Sequence, residues 1–331
     1  MLVGFWIMVK TIAIIGVGQI GSRHLQGLTH LSIPSKIFLV DPIEASLDVA
    51  IKRYNEIEKN NIHELIKYYE ISELPKILDL AIIATSSDIR ADVLKLLLKH
   101  SKISFLILEK IGFQSESEFE DINILLQKLN IPTWFNCPRR IWSVYKKIKI
   151  ELMDPLIDIF ISGSNIGIGS NLIHFLDLFT YLTENLELSL RLDPNLLHIE
   201  NSKRMGFIEL SGYVNANTIN NQCFTLRSYN DGSAPIVVTI QNKYQKFIIN
   251  ESEKQLSIFN YNENWKILNE KISIPYQSEL TGIIAEEIFK EETCSLTLYQ
   301  QSMPLQLDII KQVRHLLKTK NFEISERVPI T

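Results

Sequence analysis

Residues 16–21 read Gly-Val-Gly-Gln-Ile-Gly, which is the pattern G-x-G-x-x-G. In such a loop the first glycine permits a tight turn, the second lets the backbone approach a pyrophosphate, and the third allows a helix to pack on a strand. The pattern is informative only between a strand and a helix. Here the apolar run 10–16 precedes it and a helical pattern at 20–30 follows. The segment therefore predicts a dinucleotide-binding loop, with candidate contacts at Gly16, Gly18, Gln19, Ile20 and Gly21.

Asp41 ends a second apolar run, residues 36–41, and lies 20 residues beyond Gly21. A carboxylate at this place binds both hydroxyls of a ribose and repels a 2′-phosphate, which favours NAD over NADP. Arg53 lies a helix away, and we do not expect it to recruit NADP. The alternative is that the glycines and Asp41 are ordinary turn and strand-end residues.

Glu109 and Lys110 end a further apolar run, residues 103–109. Ligands of open parallel sheets bind beyond the carboxyl ends of the strands. A lysine there can donate a hydrogen bond to a substrate oxygen and stabilise developing negative charge. From position alone, a solvated charged pair at a strand end is the favoured interpretation.

Residues 167–177 read Gly-Ile-Gly-Ser-Asn-Leu-Ile-His-Phe-Leu-Asp. Ser170 or Asn171 is expected to cap a helix over residues 171–182. Positions 170, 174 and 177 share one helical face. His174 on that face is a candidate acceptor for a hydroxyl proton; the alternative is a histidine that only stabilises the helix.

The elements that position these residues change character along the chain. Up to about residue 130, continuous apolar strands alternate with helical patterns, which indicates parallel strands covered on both faces. Beyond that point, strand-like stretches with short polar turns follow one another, which indicates an antiparallel sheet. We therefore expect a doubly wound α/β domain over residues 1–130 and a second domain over residues 131–331.

Composition excludes several functional classes. The 331 residues are 46% hydrophobic and 22% charged, with a formal net charge of −4. A nucleic-acid-binding protein would show a concentrated positive surface, which is not found here.

Cys137, Cys223 and Cys294 are widely spaced and form no CxxC pair, so no metal site is predicted and a cytoplasmic location is favoured. No apolar run is long enough to span a membrane. The apolar start is not interpreted as a signal peptide, and Met8 offers an alternative start.

The order of the motifs resembles the Gfo/Idh/MocA family of NAD(P)-dependent oxidoreductases. After the glycine loop and Asp41 come Ala84-Thr85, Glu109-Lys110, an Asn-x-x-Arg-Arg segment at 136–140 and a glycine-led helix with His-x-x-Asp at 174–177. The glycine pattern alone is common, whereas the ordered set is specific and covers nearly the whole chain. The resemblance implies an N-terminal Rossmann domain and a C-terminal α/β domain with a large open, mostly antiparallel sheet. The implied chemistry is reversible hydride transfer between NAD and a carbinol or carbonyl carbon of a sugar, cyclitol or nucleotide sugar.

The same resemblance implies roles for individual residues. Lys110 and His174 correspond to the catalytic pair, the lysine stabilising the substrate oxygen and the histidine moving the hydroxyl proton. Apart from the resemblance, either Arg139 or Arg140 is a candidate to bind a phosphate or carboxylate, which favours an anionic substrate such as a nucleotide sugar or a sugar acid. Surface solvation is the alternative for both arginines. Further expected contacts to NAD are Thr85, Ser86 and Glu109, and expected contacts to substrate are Arg139, Arg140, Asn171 and Asp177.

Three positions depart from the family pattern. Ile111 stands where proline usually follows Glu-Lys, which predicts a less rigid loop. Ser170 stands where an aspartate is common and lacks its charge, and Arg90 stands where a histidine is expected. Ile111 and Ser170 allow a second hypothesis, a catalytically silent NAD-binding sensor or partner subunit. Family members usually form dimers or tetramers through the C-terminal sheet, so we expect a homo-oligomer.

Overall fold

The computed structural model describes residues 9–57, 62–323 and 325–331. The expected alternative start at Met8 lies outside the described residues. The chain divides into two compact units. The first comprises the chain up to Phe113, Glu120–Asn136 and Pro275–Tyr299, and the second comprises Gln114–Phe119, Cys137–Ile274 and Gln300–Thr331. The chain thus returns to the first unit after most of the second. The expected boundary near residue 130 stays a prediction.

The first unit contains a parallel sheet whose strands lie in the order β3-β2-β1-β4-β5-β6. This is the strand order of a doubly wound dinucleotide-binding sheet, and it confirms the predicted fold class. Its central strands are continuous apolar runs because both of their faces are covered. The strands are β1 (Lys10–Ile15), β2 (Ser35–Val40), β3 (His63–Tyr68), β4 (Ile77–Ile83), β5 (Lys102–Leu108) and β6 (Thr133–Phe135).

Helices follow the strands of this sheet. Their bounds are α1 (Gln19–Gly27), α2 (Glu44–Asn55), α3 (Ser87–His100) and α4 (Glu116–Leu129). The predicted helix at 20–30 is shorter, because residues 28–30 form a 3₁₀ turn. Strand β3 was not predicted: its sequence HELIKY is an edge strand with charged residues among the apolar ones.

The second unit contains a nine-stranded sheet in the described part of the chain, in the order β15-β14-β13-β12-β7-β11-β10-β8, with β9 also paired to β10. All its pairs are antiparallel except β7 with β11, which confirms a mostly antiparallel sheet. The strands are β7 (Asp158–Ser164), β8 (Leu188–Arg191), β9 (Leu197–Asn201), β10 (Ile208–Thr218), β11 (Cys223–Tyr229), β12 (Val237–Gln241), β13 (Gln245–Asn250), β14 (Gln255–Asn260) and β15 (Leu268–Lys271).

Burial alternates along these strands, so one face of the sheet carries the core. Phe224 and Leu226 on β11 are buried, as are Val238 and Ile240 on β12. The helix over residues 168–183 packs on this face, where the rings of Phe179 and Phe224 lie 5.7 Å apart. Central strand β7 was not predicted, because Asp158, Ser162 and Gly163 interrupt its apolar pattern.

Four more helices and a short strand complete the fold: α5 (Ser143–Glu151), α6 (Ile168–Thr183), α7 (Gln277–Glu291), β16 (Thr297–Leu298) and α8 (Tyr299–Thr319). Strand β16 pairs antiparallel with β6 at the edge of the first sheet. Helix α7 packs on α1 within the first unit. Across the described ranges, every helix is too short or too polar to cross a membrane.

Candidate functional site

The glycine loop connects β1 to α1 in the first unit. Gly16 has a φ of +82°, and a Cβ at this position would lie 2.8 Å from the Thr85 amide nitrogen. A Cβ on Gly21 would lie 1.9 Å from the Gly16 carbonyl oxygen. Gly18 differs, because among the described residues no atom lies within 4 Å of the place its Cβ would take. Two glycines thus permit close packing, and the third leaves space for a ligand to approach the backbone.

Helix α1 begins at Gln19, directly after this space. Its N-cap residue is Gly18, and within the described ranges no side chain caps the helix and no acidic residue occupies its first turn. The first N–H groups of an α-helix have no acceptor inside the helix and favour anions. These observations fit a pyrophosphate group, so the residues present are suited to a nicotinamide dinucleotide.

Asp41 follows β2 and is 8% exposed. Its Oδ2 accepts a hydrogen bond from the Val17 amide and its Oδ1 accepts one from the Ile43 amide, both at 3.0 Å. A carboxylate has about four acceptor positions, so two bonds leave capacity for ribose hydroxyls. Asp41 therefore also fastens the glycine loop to the end of β2, a role that the sequence did not indicate.

The remaining predicted cofactor residues surround the loop. Thr85 follows β4, and its buried Oγ1 has no hydrogen-bond partner among the described residues. Ser86 is the N-cap residue of α3 and donates its hydroxyl proton to Asp88. Gln19 accepts a hydrogen bond from Arg53 at 2.9 Å, and Arg53 also donates to Ser22. Arg53 is thus hydrogen-bonded to α1 next to the glycine loop, and the expectation that it does not recruit a 2′-phosphate stays a prediction.

Glu109 directly follows β5 and is 6% exposed. Its Oε1 lies 2.9 Å from His24 Nε2 and 2.5 Å from Asn136 Nδ2. Because a carboxylate only accepts, His24 donates from Nε2, and its Nδ1 lies 3.0 Å from the Thr281 hydroxyl oxygen. Burial alone would raise the pKa of Glu109, but the bonds from His24 and Asn136 and the charge of Lys110 hold that pKa below its usual value. Glu109 is therefore an ionised group within a buried polar network, and its predicted contact with the cofactor stays a prediction.

Lys110 is half-buried and follows Glu109 in a loop that Arg90 holds. The guanidinium of Arg90 donates to the carbonyl oxygens of Glu109 at 2.8 Å and Gly112 at 2.9 Å, and also to that of Ile111. Ile111 itself is completely buried. Hydrogen bonds and side-chain burial thus fix this loop where the family pattern has a proline ring.

In the second unit, α6 carries His174, which is half-buried. The helix begins at Ile168 with Gly167 as its N-cap residue, so the prediction that Ser170 or Asn171 caps it is wrong. The acceptor comes from β10 instead: Glu209 accepts from the Gly169 amide at 2.5 Å and from the Ser170 hydroxyl at 2.6 Å. The Glu209 carboxylate therefore contacts Ser170, whose own side chain carries no charge.

Asn171 lies in the first turn of α6. Its Nδ2 donates to the Ile166 carbonyl oxygen at 2.6 Å, so this amide group supports the entry of the chain into the helix. A contact of Asn171 with substrate stays a prediction.

The two predicted substrate arginines are both paired with carboxylates. Arg139 forms a bidentate pair with Glu251, at 3.0 and 2.9 Å, and its guanidinium lies 4.0 Å from the centroid of the Phe175 ring. Arg140 forms a bidentate pair with Asp177 at 2.8 Å, and Asp177 is 0% exposed. The geometry therefore neutralises the positive charge on which the expected anionic substrate rested.

Several structural partners escaped the sequence analysis. Gln277 lies 253 residues from His24 in the chain, yet its side chain approaches both His24 and Asn136. Glu209 lies 40 residues from Gly169, and Glu251 lies 112 residues from Arg139. Arg90 was noted only as a departure from a family pattern, and no local signal marked its role.

Comparisons with known proteins bear on the fold. No protein-family model matches the chain, and no curated protein matches it. Among solved structures, the chain resembles UDP-N-acetylglucosamine 3-dehydrogenase from Acidithiobacillus ferrooxidans, with 13% identity over 94% of this chain and 99% of that one and a TM-score of 0.69. It also resembles an oxidoreductase from Agrobacterium radiobacter in complex with NAD⁺, L-tartaric acid and magnesium, with 12% identity, 95% and 98% coverage and a TM-score of 0.70.

A third similar structure is a super-repressor mutant of Gal80p from Saccharomyces cerevisiae, with 13% identity, 94% and 97% coverage and a TM-score of 0.72. Another matched protein was solved with NADP⁺. Structures with this fold therefore include one complex with NAD⁺ and one with NADP⁺. The strand order, the second sheet and these similarities agree with the resemblance drawn from the motifs, and the chain has the fold of the Gfo/Idh/MocA-type NAD-binding oxidoreductases.

Proposed function

We propose that the protein is an NAD-dependent oxidoreductase that transfers a hydride between nicotinamide and a carbinol or carbonyl carbon of a sugar-like substrate. The observation that carries this proposal is the glycine loop, where Gly16 and Gly21 pack too closely for a side chain while Gly18 borders open space. Asp41 at the end of β2 supplies the carboxylate that favours NAD over NADP.

NAD, when bound, supplies the hydride acceptor. The amides at the start of α1 bind its pyrophosphate, and Asp41 accepts hydrogen bonds from its ribose. Lys110 donates a hydrogen bond to the substrate oxygen and stabilises the charge that develops on it. His174 accepts the proton of the substrate hydroxyl during oxidation and returns it during reduction.

The substrate class rests on two observations. One of the similar structures is a nucleotide-sugar dehydrogenase. Arg139 and Arg140 are neutralised by Glu251 and Asp177, which favours recognition through hydroxyl groups over recognition of a phosphate by these arginines. We therefore propose a hydroxyl-rich sugar or cyclitol moiety as the reacting part of the substrate.

The test is NADH formation from NAD⁺ across a panel of sugars, cyclitols and nucleotide sugars that includes UDP-N-acetylglucosamine. We expect turnover with at least one, and a loss of kcat of about 10²-fold or more in Lys110→Ala and His174→Ala. Normal rates in both variants would contradict the assigned roles.

The similarity to Gal80p, a transcriptional regulator, favours one further candidate function. In that case the protein binds NAD as a sensor or partner subunit without turnover. Tight NADH binding with no turnover across the whole panel would support this alternative.

We also propose a homo-oligomer formed through the open face of the second sheet. Apolar residues alternate with the core residues there: Phe160 is exposed, and Val237, Ile248 and Phe259 are half-buried. Light scattering coupled to size exclusion tests this, since a particle of 38.2 kDa would be a monomer.

A further inference from the structure

Arg90 is a buried cation at the carboxyl edge of the first sheet. It lies on α3 and is 2% exposed. Burying a guanidinium is costly unless its N–H groups find acceptors. Here the acceptors are backbone carbonyl oxygens from two loops.

One of these loops follows β4, and Arg90 Nη2 donates to the Thr85 carbonyl oxygen. The other follows β5, and Arg90 Nη1 donates to the carbonyl oxygens of Glu109, Ile111 and Gly112. These residues flank Lys110 on both sides. The planar fork of a guanidinium can serve several acceptors in fixed directions, whereas a lysine offers a single ammonium group.

The side chains next to Lys110 are fixed as well. Glu109 is bonded to His24 and Asn136, and Ile111 is completely buried. The backbone on either side of Lys110 is therefore immobilised, which sets the direction in which the lysine leaves the loop. Thr85 also packs against Gly16 of the dinucleotide loop, so Arg90 connects the cofactor loop region to the lysine.

We propose that Arg90 is a positioning residue that couples the dinucleotide site at Thr85 to the placement of Lys110. The coupling rests on the proposed function, because it assumes that a dinucleotide binds beside Thr85. The contacts of Arg90 with this loop involve only residues of the chain itself, so the rigidity of the loop can be measured separately.

The test is hydrogen–deuterium exchange at the amides of residues 110–113 in the wild type, Arg90→Ala and Arg90→Lys, each with and without NADH. Lys95→Ala is the matched control, since Lys95 lies on the same helix and forms an exposed pair with Asp121. Without NADH, we expect exchange at 110–113 to be at least about tenfold faster in both Arg90 variants and unchanged in the control. Methylguanidine should restore protection in Arg90→Ala, which a general loss of packing would not allow.

With NADH, we expect the amides of residues 110–113 to gain further protection from exchange in the wild type and in the control. In Arg90→Lys we expect no such gain, although NADH still binds. Unchanged exchange in a folded Arg90 variant would overturn the proposal. If Arg90→Ala does not fold, Arg90→Lys decides by the same criteria, and failure of both to fold would also overturn it, because a positioning residue is dispensable for folding. If NADH fails to bind the wild type, the proposed function and the coupling fail, while the exchange without NADH still shows whether Arg90 holds the loop.

Discussion

The glycine loop and the arginine segment at 139–140 show two kinds of predicted site residue. Gly16, Gly18 and Gly21 lie in the geometry that their spacing predicts, because a glycine acts through the absence of a side chain. Arg139 and Arg140 are each bonded to a carboxylate 112 and 37 residues away in the chain. The steric role of a glycine is therefore encoded in the local sequence, whereas the role of a charged side chain depends on partners that are remote in the chain.

The largest expected effect concerns the Arg140–Asp177 pair. Asp177→Ala leaves the Arg140 guanidinium without its buried partner, which is expected to lower the free energy of unfolding by about 3–5 kcal/mol. Urea denaturation measures this. The matched control is Arg140→Met with Asp177→Leu, which removes both charges and is expected to recover most of the loss. An unchanged stability in Asp177→Ala would show that the pair is not a structural unit and would return Arg140 to the substrate-binding candidates.

The next effect separates two glycines within one loop. Gly21→Ala places a methyl group 1.9 Å from the Gly16 carbonyl oxygen, so the loop must shift. We expect a loss of about 1–3 kcal/mol in stability together with a loss of NADH binding. Gly18→Ala meets no described atom within 4 Å, so stability is expected to change by less than about 0.5 kcal/mol while NADH affinity falls. Calorimetry and thermal unfolding of both variants test the contrast. Intact NADH affinity in Gly18→Ala would break it.

A smaller effect is expected at the start of α6. Glu209→Ala removes the acceptor of the Gly169 amide and of the Ser170 hydroxyl, and we expect a cost of about 1–2 kcal/mol, typical of a lost N-terminal cap. Ser170→Ala removes only the hydroxyl and is expected to cost less. Equal losses in the two variants, measured by denaturant unfolding, would assign the stabilisation to the hydroxyl rather than to the carboxylate at the helix end.

The smallest effect is a pH dependence at Glu109. The folded pKa of Glu109 lies below the ordinary value of 4.5. Its charge therefore stabilises the fold above about pH 4.5, and this contribution is lost as the pH falls through the folded pKa. The difference in unfolding free energy between the wild type and Glu109→Gln should shrink as the pH falls below 4.5. A difference that stays constant from neutral to acidic pH would contradict the ionised network.

The sequence predicted much of the fold, for reasons that particular elements show. The apolar runs of β1, β2 and β5 identify buried parallel strands. Strands β3 and β7 were missed because charged and polar residues interrupt their patterns. In the site, the glycine loop and Asp41 follow from local spacing. Local spacing does not predict the buried polar network, because its members are far apart in the chain and come together only in the folded first unit. These members are His24, Glu109, Asn136 and Gln277.

The most direct test of the account is a calorimetric comparison of NADH and NADPH binding to the wild type and to Asp41→Ala. The account predicts that NADH binds at least about tenfold more tightly than NADPH to the wild type, and that the substitution relaxes this preference. Binding of neither cofactor, or equal affinity for both in the wild type, would contradict it.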